Sequence, residues 1–344
     1  MRRRFIGDRM SRASSENAQL MSAKDTNIDS RSAAAPASKY QPSARAKEDF
    51  RSKNICLTGA SGGLGRCLAH QLAKCSASTL ILSARNTDKL DQVARECRAI
   101  ASLYAAPGGE ADLNVQVVPC DLTDAASVDN LGKTALELCS DRGSGVVDVL
   151  INNGGISSRS DFVDTTIEVD EQLMQVNFLS GARLAKMVVP PMIQGGQGNN
   201  GGCIIWISSV QGLLGIPSRT SYAAFKFAVQ GYCEALRAEL ASSNISVHVV
   251  SPGYIRTDLS KSAITGDGKL HGKMDDTTAN GADPDEVAVA VLDGVSKRRS
   301  KGGGSDFVVA AGLSAKIAIW LRLFAPGFLE MKLQKRHDKS QGQK

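Results

Sequence analysis

The stretch NICLTGASGGLGR, from Asn54 to Arg66, decides the fold. Its opening residues (NICLTG) have the apolar run of a short buried strand, and the residues that follow have the apolar spacing of a helix. Gly59, Gly63 and Gly65 form a TGxxxGxG pattern, which permits a tight turn and lets a ligand approach the backbone closely. A helix that begins at such a turn presents free N–H groups to a pyrophosphate. This order of elements predicts a nucleotide-binding site, although glycine-rich turns also join elements that have no chemical role.

Strand-like and helix-like segments alternate along the chain from Lys53 onwards. The strand-like segments are short and almost continuously apolar, which is typical of a parallel sheet covered by helices on both faces. We count seven strands and predict one doubly wound, Rossmann-like α/β sheet. One long helix is expected within Val169–Ile193. The alternation ends near residue 310, so residues 51–310 are predicted to form a single domain.

The end of the second predicted strand distinguishes between the two nicotinamide dinucleotides. An acidic residue usually binds the adenosine ribose of NAD there, whereas the 2′-phosphate of NADP needs a cation. In this chain the segment LILSARN contains Ser83, Ala84 and Arg85 and no acid. Arg85 can bind a phosphate in bidentate fashion. We therefore predict NADP(H) as the cofactor, preferred over NAD(H); the alternative is that Arg85 is an ordinary surface arginine.

The stretch SYAAFKFAVQG, from Ser221 to Gly231, places Tyr222 and Lys226 four residues apart among good helix formers. On a helix this spacing puts both side chains on one face. One interpretation is a solvated face on which an aromatic ring packs against an aliphatic stem. The other is a phenol whose pKa is lowered by the neighbouring ammonium. Because a free phenol has a pKa of about 10, only the second arrangement makes Tyr222 a useful acid/base at neutral pH.

Seven motifs occur in one order along residues 51–310, and in that order they resemble the short-chain dehydrogenase/reductase family. They are TGxxxGxG at Thr58–Gly65, DL at Asp121–Leu122, NNGG at Asn152–Gly155, QVNF with Asn177, ISS with Ser209, YxxxK at Tyr222–Lys226, and SPGYIRT at Ser251–Thr257. The resemblance implies an NADP-dependent enzyme that acts on CH–OH groups or carbonyls. Phrases such as DEQLMQVNF and WLRLFAPGF are similar to the member-seven branch of membrane-associated reductases.

The resemblance also implies the catalytic residues. Tyr222 would be the acid/base, and Lys226 would tune it and bind the nicotinamide ribose. Ser209 would hydrogen-bond the substrate oxygen, with Ser208 as the neighbouring alternative, and Asn177 would anchor a water that relays the proton. Cofactor binding is implied for Thr58, Gly59, Ser61, Gly63, Leu64, Gly65, Arg85, Asp121, Leu122, Asn152, Gly154, Lys226, Pro252, Gly253, Ile255 and Thr257.

Two positions depart from the family pattern. Gly154 occupies a position where the family often has alanine, and Phe225 stands before the lysine where serine is common. Neither change removes a proton donor or acceptor. Both change the packing expected around the active-site helix and the shape of the substrate pocket.

The two ends of the chain differ from the domain between them. Residues 1–50 contain few large apolar residues and are predicted to be a disordered leader; the alternative is a cleaved targeting segment, against which Asp8 and Glu16 argue. Residues 311–344 form a basic tail with clustered Trp, Phe and Leu side chains. The apolar run is too short and too interrupted to span a bilayer, and it suits either a membrane interface or packing on the core or a partner subunit.

Charge and cysteine content restrict the function classes. Of the net charge of +6, residues 1–50 carry +4 and residues 297–344 carry +8, so residues 51–296 carry −6. An acidic body without a recognisable motif makes nucleic-acid binding an unfavoured interpretation. The eight cysteines are scattered without CxxC spacing. They predict reduced thiols in an intracellular protein and neither a disulfide framework nor a metal site.

These observations lead to one functional hypothesis and one alternative. The hypothesis is an NADP(H)-dependent oxidoreductase that acts on a lipophilic carbonyl or secondary alcohol, such as a retinoid, a steroid or an acyl-lipid ketone. We expect a homodimer or homotetramer that associates with a membrane of the endoplasmic reticulum or another organelle through its C-terminal tail. The alternative is a non-catalytic NADP-binding regulatory or scaffold protein of the same fold.

Overall fold

The computed structural model describes residues 39–105, 112–195, 201–299 and 304–341. Within them lies one sheet of seven parallel strands, as predicted from the sequence, and the strand order is β3-β2-β1-β4-β5-β6-β7. The strands are β1 Asn54–Thr58, β2 Thr79–Ser83, β3 Asn114–Val117, β4 Val149–Asn152, β5 Cys203–Ile207, β6 Ser246–Pro252 and β7 Asp306–Val309. The strand order reverses between β1 and β4, and a cleft is expected at such a reversal.

Helices cover both faces of the sheet. They are α1 Ala44–Phe50, α2 Gly63–Ala73, α3 Thr87–Tyr104, α4 Ala125–Cys139, α5 Ile167–Met174, α6 Ser180–Gly195, α7 Thr220–Glu239, α8 Asp276–Ala279, α9 Pro284–Arg299, α10 Leu313–Phe324 and α11 Pro326–Gln341. Helix α2 packs against α3 and α9, and α4 packs against α6. Because both faces are covered, every residue of β1, β2, β4 and β6 is buried, which explains the continuous apolar runs in the sequence.

The N-terminal boundary differs from the sequence prediction. Residues 1–38 of the predicted leader lie outside the described residues. Residues 44–50, however, form α1, which packs against α9. Ala46 and Phe50 are fully buried, and the backbone N–H of Ser43 donates to Asp293 Oδ1 at 2.9 Å. The domain therefore begins before residue 51. The sequence did not reveal this helix because only two of its side chains are buried, which is too few to give a recognisable periodicity.

A π-helical turn interrupts the long helix that was expected within Val169–Ile193. The turn comprises Gln175–Leu179 and joins α5 to α6. Its Asn177 side chain accepts a hydrogen bond from the Ile156 N–H at 3.0 Å and donates to the Leu173 carbonyl at 2.9 Å. Such single-turn π segments often occur at functional sites, and this one brings Asn177 to the ends of the strands.

The C-terminal tail folds into α10 and α11, which pack against each other. One contact with the body is made by Arg322, whose Nη1 donates to the Leu213 carbonyl at 3.0 Å and whose guanidinium lies 4.5 Å from the centroid of the Phe227 ring. Among the residues described, no helix combines the length and the apolar character needed to cross a bilayer.

Candidate active site

A cleft of 720 Å³ opens at the carboxyl ends of the strands. Its walls come from the segments that follow β1, β2, β3, β4, β5 and β6, so residues distant in sequence meet there. All the predicted catalytic residues and all the predicted cofactor-binding residues except Asn152 line this cleft. One end of the cleft is formed by the glycine-rich turn, and the other by the side chains around Tyr222.

The glycine-rich turn has no room for a side chain at two positions. A Cβ at Gly65 would lie 2.0 Å from the carbonyl oxygen of Gly59. Gly59 itself has a φ of +67°, and a Cβ there would lie 2.7 Å from the Cα of Gly154. Helix α2 begins beside this turn, so its N-terminal N–H groups face the cleft. The turn therefore fits a dinucleotide pyrophosphate, which needs backbone donors without intervening side chains.

Asn153, which the sequence analysis did not single out, connects this turn to β4. Its Nδ2 donates to the carbonyl oxygens of Thr58 and Gly59 at 3.0 and 3.2 Å, and its backbone N–H donates to Thr58 Oγ1 at 3.1 Å. Asn152, the predicted residue, instead lines a small internal cavity with Trp206 and Gly181. Adjacent residues at a strand end point to opposite sides, so Asn153 lines the cleft and Asn152 does not. A cofactor-binding role for Asn152 stays a prediction.

The adenosine end of the cleft is cationic. Arg85 lines it and is exposed, as is Lys89 in the first turn of α3. Asn86 caps α3 by accepting the Lys89 N–H at 2.8 Å, which fixes the helix start beside Arg85. Lys89 was missed in the sequence because it stands six residues beyond the end of β2, but on α3 it lines the same cleft. Asp121 also lines the cleft, and its Oδ1 accepts from Thr123 N at 3.0 Å.

The four predicted catalytic side chains converge at the other end of the cleft. Tyr222 and Lys226 are buried on one face of α7, each with 7% of its surface exposed. Lys226 Nζ donates to the Ile207 carbonyl at 2.9 Å and lies 5.7 Å from the centroid of the Tyr222 ring. Ser209, whose Oγ accepts the Gln211 N–H at 3.2 Å, lines the cleft together with them. Asn177 completes the group from the π-helical turn.

A family model described as short chain dehydrogenase matches residues 53–267. The chain belongs to the short-chain dehydrogenase family. One relative is "Dehydrogenase/reductase SDR family protein 7-like" of Anopheles gambiae, 38% identical over 289 residues, which are 83% of this chain and 84% of the relative. Another is "Dehydrogenase/reductase SDR family member 7B" of Xenopus laevis, 38% identical over 275 residues, which are 79% of this chain and 78% of the relative. These relatives assign the chain to the member-seven branch, and it is an oxidoreductase.

Solved structures of the family have the same architecture. A short-chain dehydrogenase from Sphingobium yanoikuyae in complex with NADPH is similar with a TM-score of 0.61 and 27% identity, over 81% of this chain and 95% of that one. A short-chain dehydrogenase from Streptomyces avermitilis has a TM-score of 0.61 and 24% identity, over 85% of this chain and 99% of that one. At 24% identity, the similarity to the Streptomyces avermitilis structure shows a shared fold only.

The electrostatics of the tyrosine differ from the sequence expectation. Burial raises the pKa of Tyr222 above its ordinary value, although the hydrogen bond from Ser209 and the positive charge of Arg159 act in the opposite direction. Burial also lowers the pKa of Lys226 to about 7. Desolvation disfavours the charged form of both groups, and for Tyr222 it outweighs the groups that lower the phenol pKa. The contribution of Lys226 to that pKa stays a prediction.

Both departures from the family pattern have a packing explanation. Phe225 is fully buried and meets the Tyr222 ring edge-on, with the ring centroids 5.0 Å apart. It packs with Val169 and Leu173 of α5 in one small cluster, so it braces the tyrosine ring. A Cβ at Gly154 would lie 2.6 Å from Leu122 Cδ1, which shows that the leucine fills the space of the alanine methyl group.

Several apolar side chains line the substrate side of the cleft, among polar ones such as Arg159, Gln172 and Asp258. Ile156 and Ile264 line it, together with Leu259 and Leu270, which are also exposed at 39% and 69%. Leu259, Ile264 and Leu270 belong to residues 254–283, which we call the lid. The lid is attached to the body, since the Ile264 N–H donates to the Ser157 carbonyl at 2.9 Å. An apolar opening of this kind suits a lipophilic ligand.

Gly65→Ala tests the glycine-rich turn. The added methyl group meets the Gly59 carbonyl oxygen, a backbone atom that cannot rotate away, so we expect a loss of roughly 2–4 kcal/mol in the free energy of unfolding and of dinucleotide binding. Gly62→Ala is the matched control for folding, because nothing lies within 4 Å of its added Cβ. Chemical denaturation and fluorescence titration with dinucleotide measure both. Equal stability of the two variants would contradict the close approach described above.

Proposed function

We propose that the chain is an NADP(H)-dependent oxidoreductase that transfers hydride between the nicotinamide and a lipophilic carbonyl or secondary alcohol. Retinoids, steroids and acyl-lipid ketones are the substrate classes that this proposal covers. The observation that carries it is that Ser209 and the buried Tyr222 line one cleft together with the glycine-rich turn and the lid. The cleft thus contains a phenol, which can protonate a carbonyl oxygen, and a hydroxyl, which can hydrogen-bond that oxygen. Both lie in the same cleft as the glycine-rich turn that fits a dinucleotide.

The roles of the side chains follow from their positions. When bound, the nicotinamide supplies or accepts the hydride. The Tyr222 hydroxyl donates a proton to the carbonyl oxygen in reduction and accepts one from the alcohol in oxidation. Ser209 donates a hydrogen bond to the same oxygen and stabilises its developing charge. Lys226 is held in place by the Ile207 carbonyl. Asn177 is held by the Leu173 carbonyl and the Ile156 N–H. Both residues thus keep polar atoms in the cleft that contains the phenol.

Cofactor selection is assigned to Arg85 together with Lys89. Both are exposed cations at the adenosine end of the cleft, where the 2′-phosphate of NADP carries a charge that NAD lacks. The Sphingobium yanoikuyae relative, whose structure contains NADPH, supports this choice. The two cations, together with the absence of an acid among Ser83, Ala84 and Arg85, favour the phosphorylated dinucleotide.

Tyr222→Phe tests the acid/base. Only the hydroxyl is removed, so NADPH should still bind while turnover falls by about 10²–10⁴-fold. Tyr232→Phe, on the same helix but outside the residues that line the cleft, is the control and should keep its activity. A panel of lipophilic ketones, aldehydes and secondary alcohols, assayed with both cofactors, supplies the substrate. If the unmodified chain binds NADPH but converts none of them, the alternative of a non-catalytic regulatory or scaffold protein is favoured.

Arg85→Asp tests the cofactor preference. The substitution places a negative charge where the 2′-phosphate would bind, so the ratio of NADPH to NADH affinity should fall roughly tenfold to a hundredfold. Arg95→Asp is the matched control, because Arg95 is an exposed cation on α3, the helix that follows Arg85, and does not line the cleft. Isothermal titration with each dinucleotide gives the ratio. A ratio near one in the unmodified protein would be incompatible with this assignment.

We further propose that the C-terminal tail docks on an anionic membrane surface. Leu313, Ile317, Trp320 and Phe324 follow the spacing of one helix face and are 48–76% exposed. Helix α11 adds Lys332, Lys335, Arg336 and Lys339, all exposed and all cationic. Exposed Trp, Leu and Phe side chains beside several cations match a membrane interface in both polarity and charge. A lipophilic substrate would then reach the cleft from the same membrane.

Co-sedimentation with vesicles tests the tail. The full chain should pellet with phosphatidylserine-containing vesicles and resist moderate salt, because apolar insertion is not screened. Trp320→Ser combined with Leu323→Ser should remain in the supernatant, whereas Leu103→Ser, an equally exposed leucine on α3, should behave like the unmodified chain. If the unmodified chain does not pellet, and the double variant instead dissociates an oligomer in analytical ultracentrifugation, the tail is a subunit interface.

A further inference from the structure

Phe225 contacts both members of the Tyr222–Lys226 pair, although it does not line the cleft itself. Its ring meets the Tyr222 ring edge-on, with the centroids 5.0 Å apart and an angle of 75° between the ring planes. The Lys226 Nζ lies over the Phe225 ring, 5.3 Å from its centroid, and 5.7 Å from the centroid of the Tyr222 ring. The three side chains therefore form a triangle in which each one contacts the other two.

Packing fixes the Phe225 ring on the side away from the cleft. Phe225 is fully buried and belongs to one cluster with Val169 and Leu173 of α5, against which Ile264 of the lid also packs. A buried ring in a closely packed cluster has little freedom to change its rotamer. It therefore presents a constant surface to both Tyr222 and Lys226.

The Lys226 ammonium has few contacts with water. Only 7% of the residue is exposed, and burial lowers its pKa to about 7. Its neighbours are the Ile207 carbonyl at the end of β5, which accepts from Nζ at 2.9 Å, and the Tyr222 and Phe225 rings of α7. An ammonium over an aromatic face is attracted by the negative charge of the π-system, and the attraction is stronger where water is excluded. The Phe225 ring therefore opposes the effect of burial, which an aliphatic side chain at the same place would not do.

We propose that Phe225 is a positioning residue that holds the Tyr222 ring and the Lys226 ammonium together as one unit, and that its ring face favours the charged form of Lys226. The proposal rests on the proposed function, because these contacts matter for hydride transfer only if Tyr222 is the acid/base. It also gives a role to the departure from the family pattern at this position. The serine that is common there has no ring to offer to either neighbour.

The direct test is a titration of Lys226 by NMR in protein labelled at the lysine Cε carbons. The signal that is missing in Lys226→Arg identifies the residue. The measurement needs neither substrate nor turnover, so it gives a result even if the proposed function fails. The spectra also report whether each variant keeps its fold at every pH.

A series of fluorinated rings separates the charge of the π-system from the shape of the side chain. Fluorine withdraws electron density from the ring face, so one, two and three fluorines at position 225 should move the Lys226 titration stepwise to lower pH. Because the chain contains nine phenylalanines, the fluorinated residue has to be incorporated at this position alone. The same residues at Phe50, which is fully buried in α1, are the matched control and should leave the titration unchanged.

Phe225→Leu removes the ring but keeps an apolar side chain in the cluster. The charged ammonium loses a favourable contact, so Lys226 should titrate roughly 0.5–1.5 pH units lower than in the unmodified protein. The Tyr222 ring loses its edge-on neighbour and should flip faster, which line shapes of tyrosine Cε signals measure. Phe50→Leu makes a comparable cavity elsewhere in the core and should alter neither quantity.

Two results would overturn the proposal. One is a Lys226 titration that does not respond to fluorination of Phe225 in folded protein. The other is an equal displacement in Phe225→Leu and Phe50→Leu, which would reduce Phe225 to a general packing residue. If the chain proves to be active, a second readout follows. The decline of kcat for carbonyl reduction at high pH should begin at lower pH in Phe225→Leu, because the charged form of Lys226 is lost earlier, while KM changes little because Phe225 does not line the cleft.

Discussion

The close approach of two backbone segments is the constraint on which the rest of the structure depends. At Gly59 and Gly65 the turn after β1 folds back on itself without space for a methyl group. The side chain of Asn153 then connects this turn to the segment after β4. These contacts join the two strands between which the strand order reverses, so the cleft, the start of α2 and the substrate loops all take their positions from them.

Burial governs the chemistry of the opposite end of the cleft. Tyr222 and Lys226 lie on a helix face that packs between Phe225 and the strand ends, away from water. Desolvation therefore opposes the charged form of both side chains, and any charge on the phenol must be stabilised by groups with fixed orientation. Ser209 and Arg159 both act to lower the phenol pKa against the effect of burial. The pKa of Tyr222 therefore depends on residues outside the YxxxK motif as well as on those within it.

The sequence predicted the seven-stranded sheet because both faces of the sheet are covered, which makes its strands continuously apolar. The glycine-rich turn and the Tyr222–Lys226 pair were also recognisable, since their spacing follows from backbone geometry. Other features depend on tertiary contacts that no local pattern contains. The choice between Asn152 and Asn153 depends on where β4 ends, α1 is buried through few side chains, and the pKa direction of Tyr222 follows from packing.

The π-helical turn at Gln175–Leu179 determines which side chains of α6 face the sheet. A π turn holds one residue more than the α-helical turn it replaces, and each residue of an α-helix rotates the following side chains by about 100°. Deleting one residue from the turn would therefore turn Leu184 and Val188 of α6, which are buried in the core, away from the sheet. Loss of the extra residue would thus require simultaneous repacking of α6.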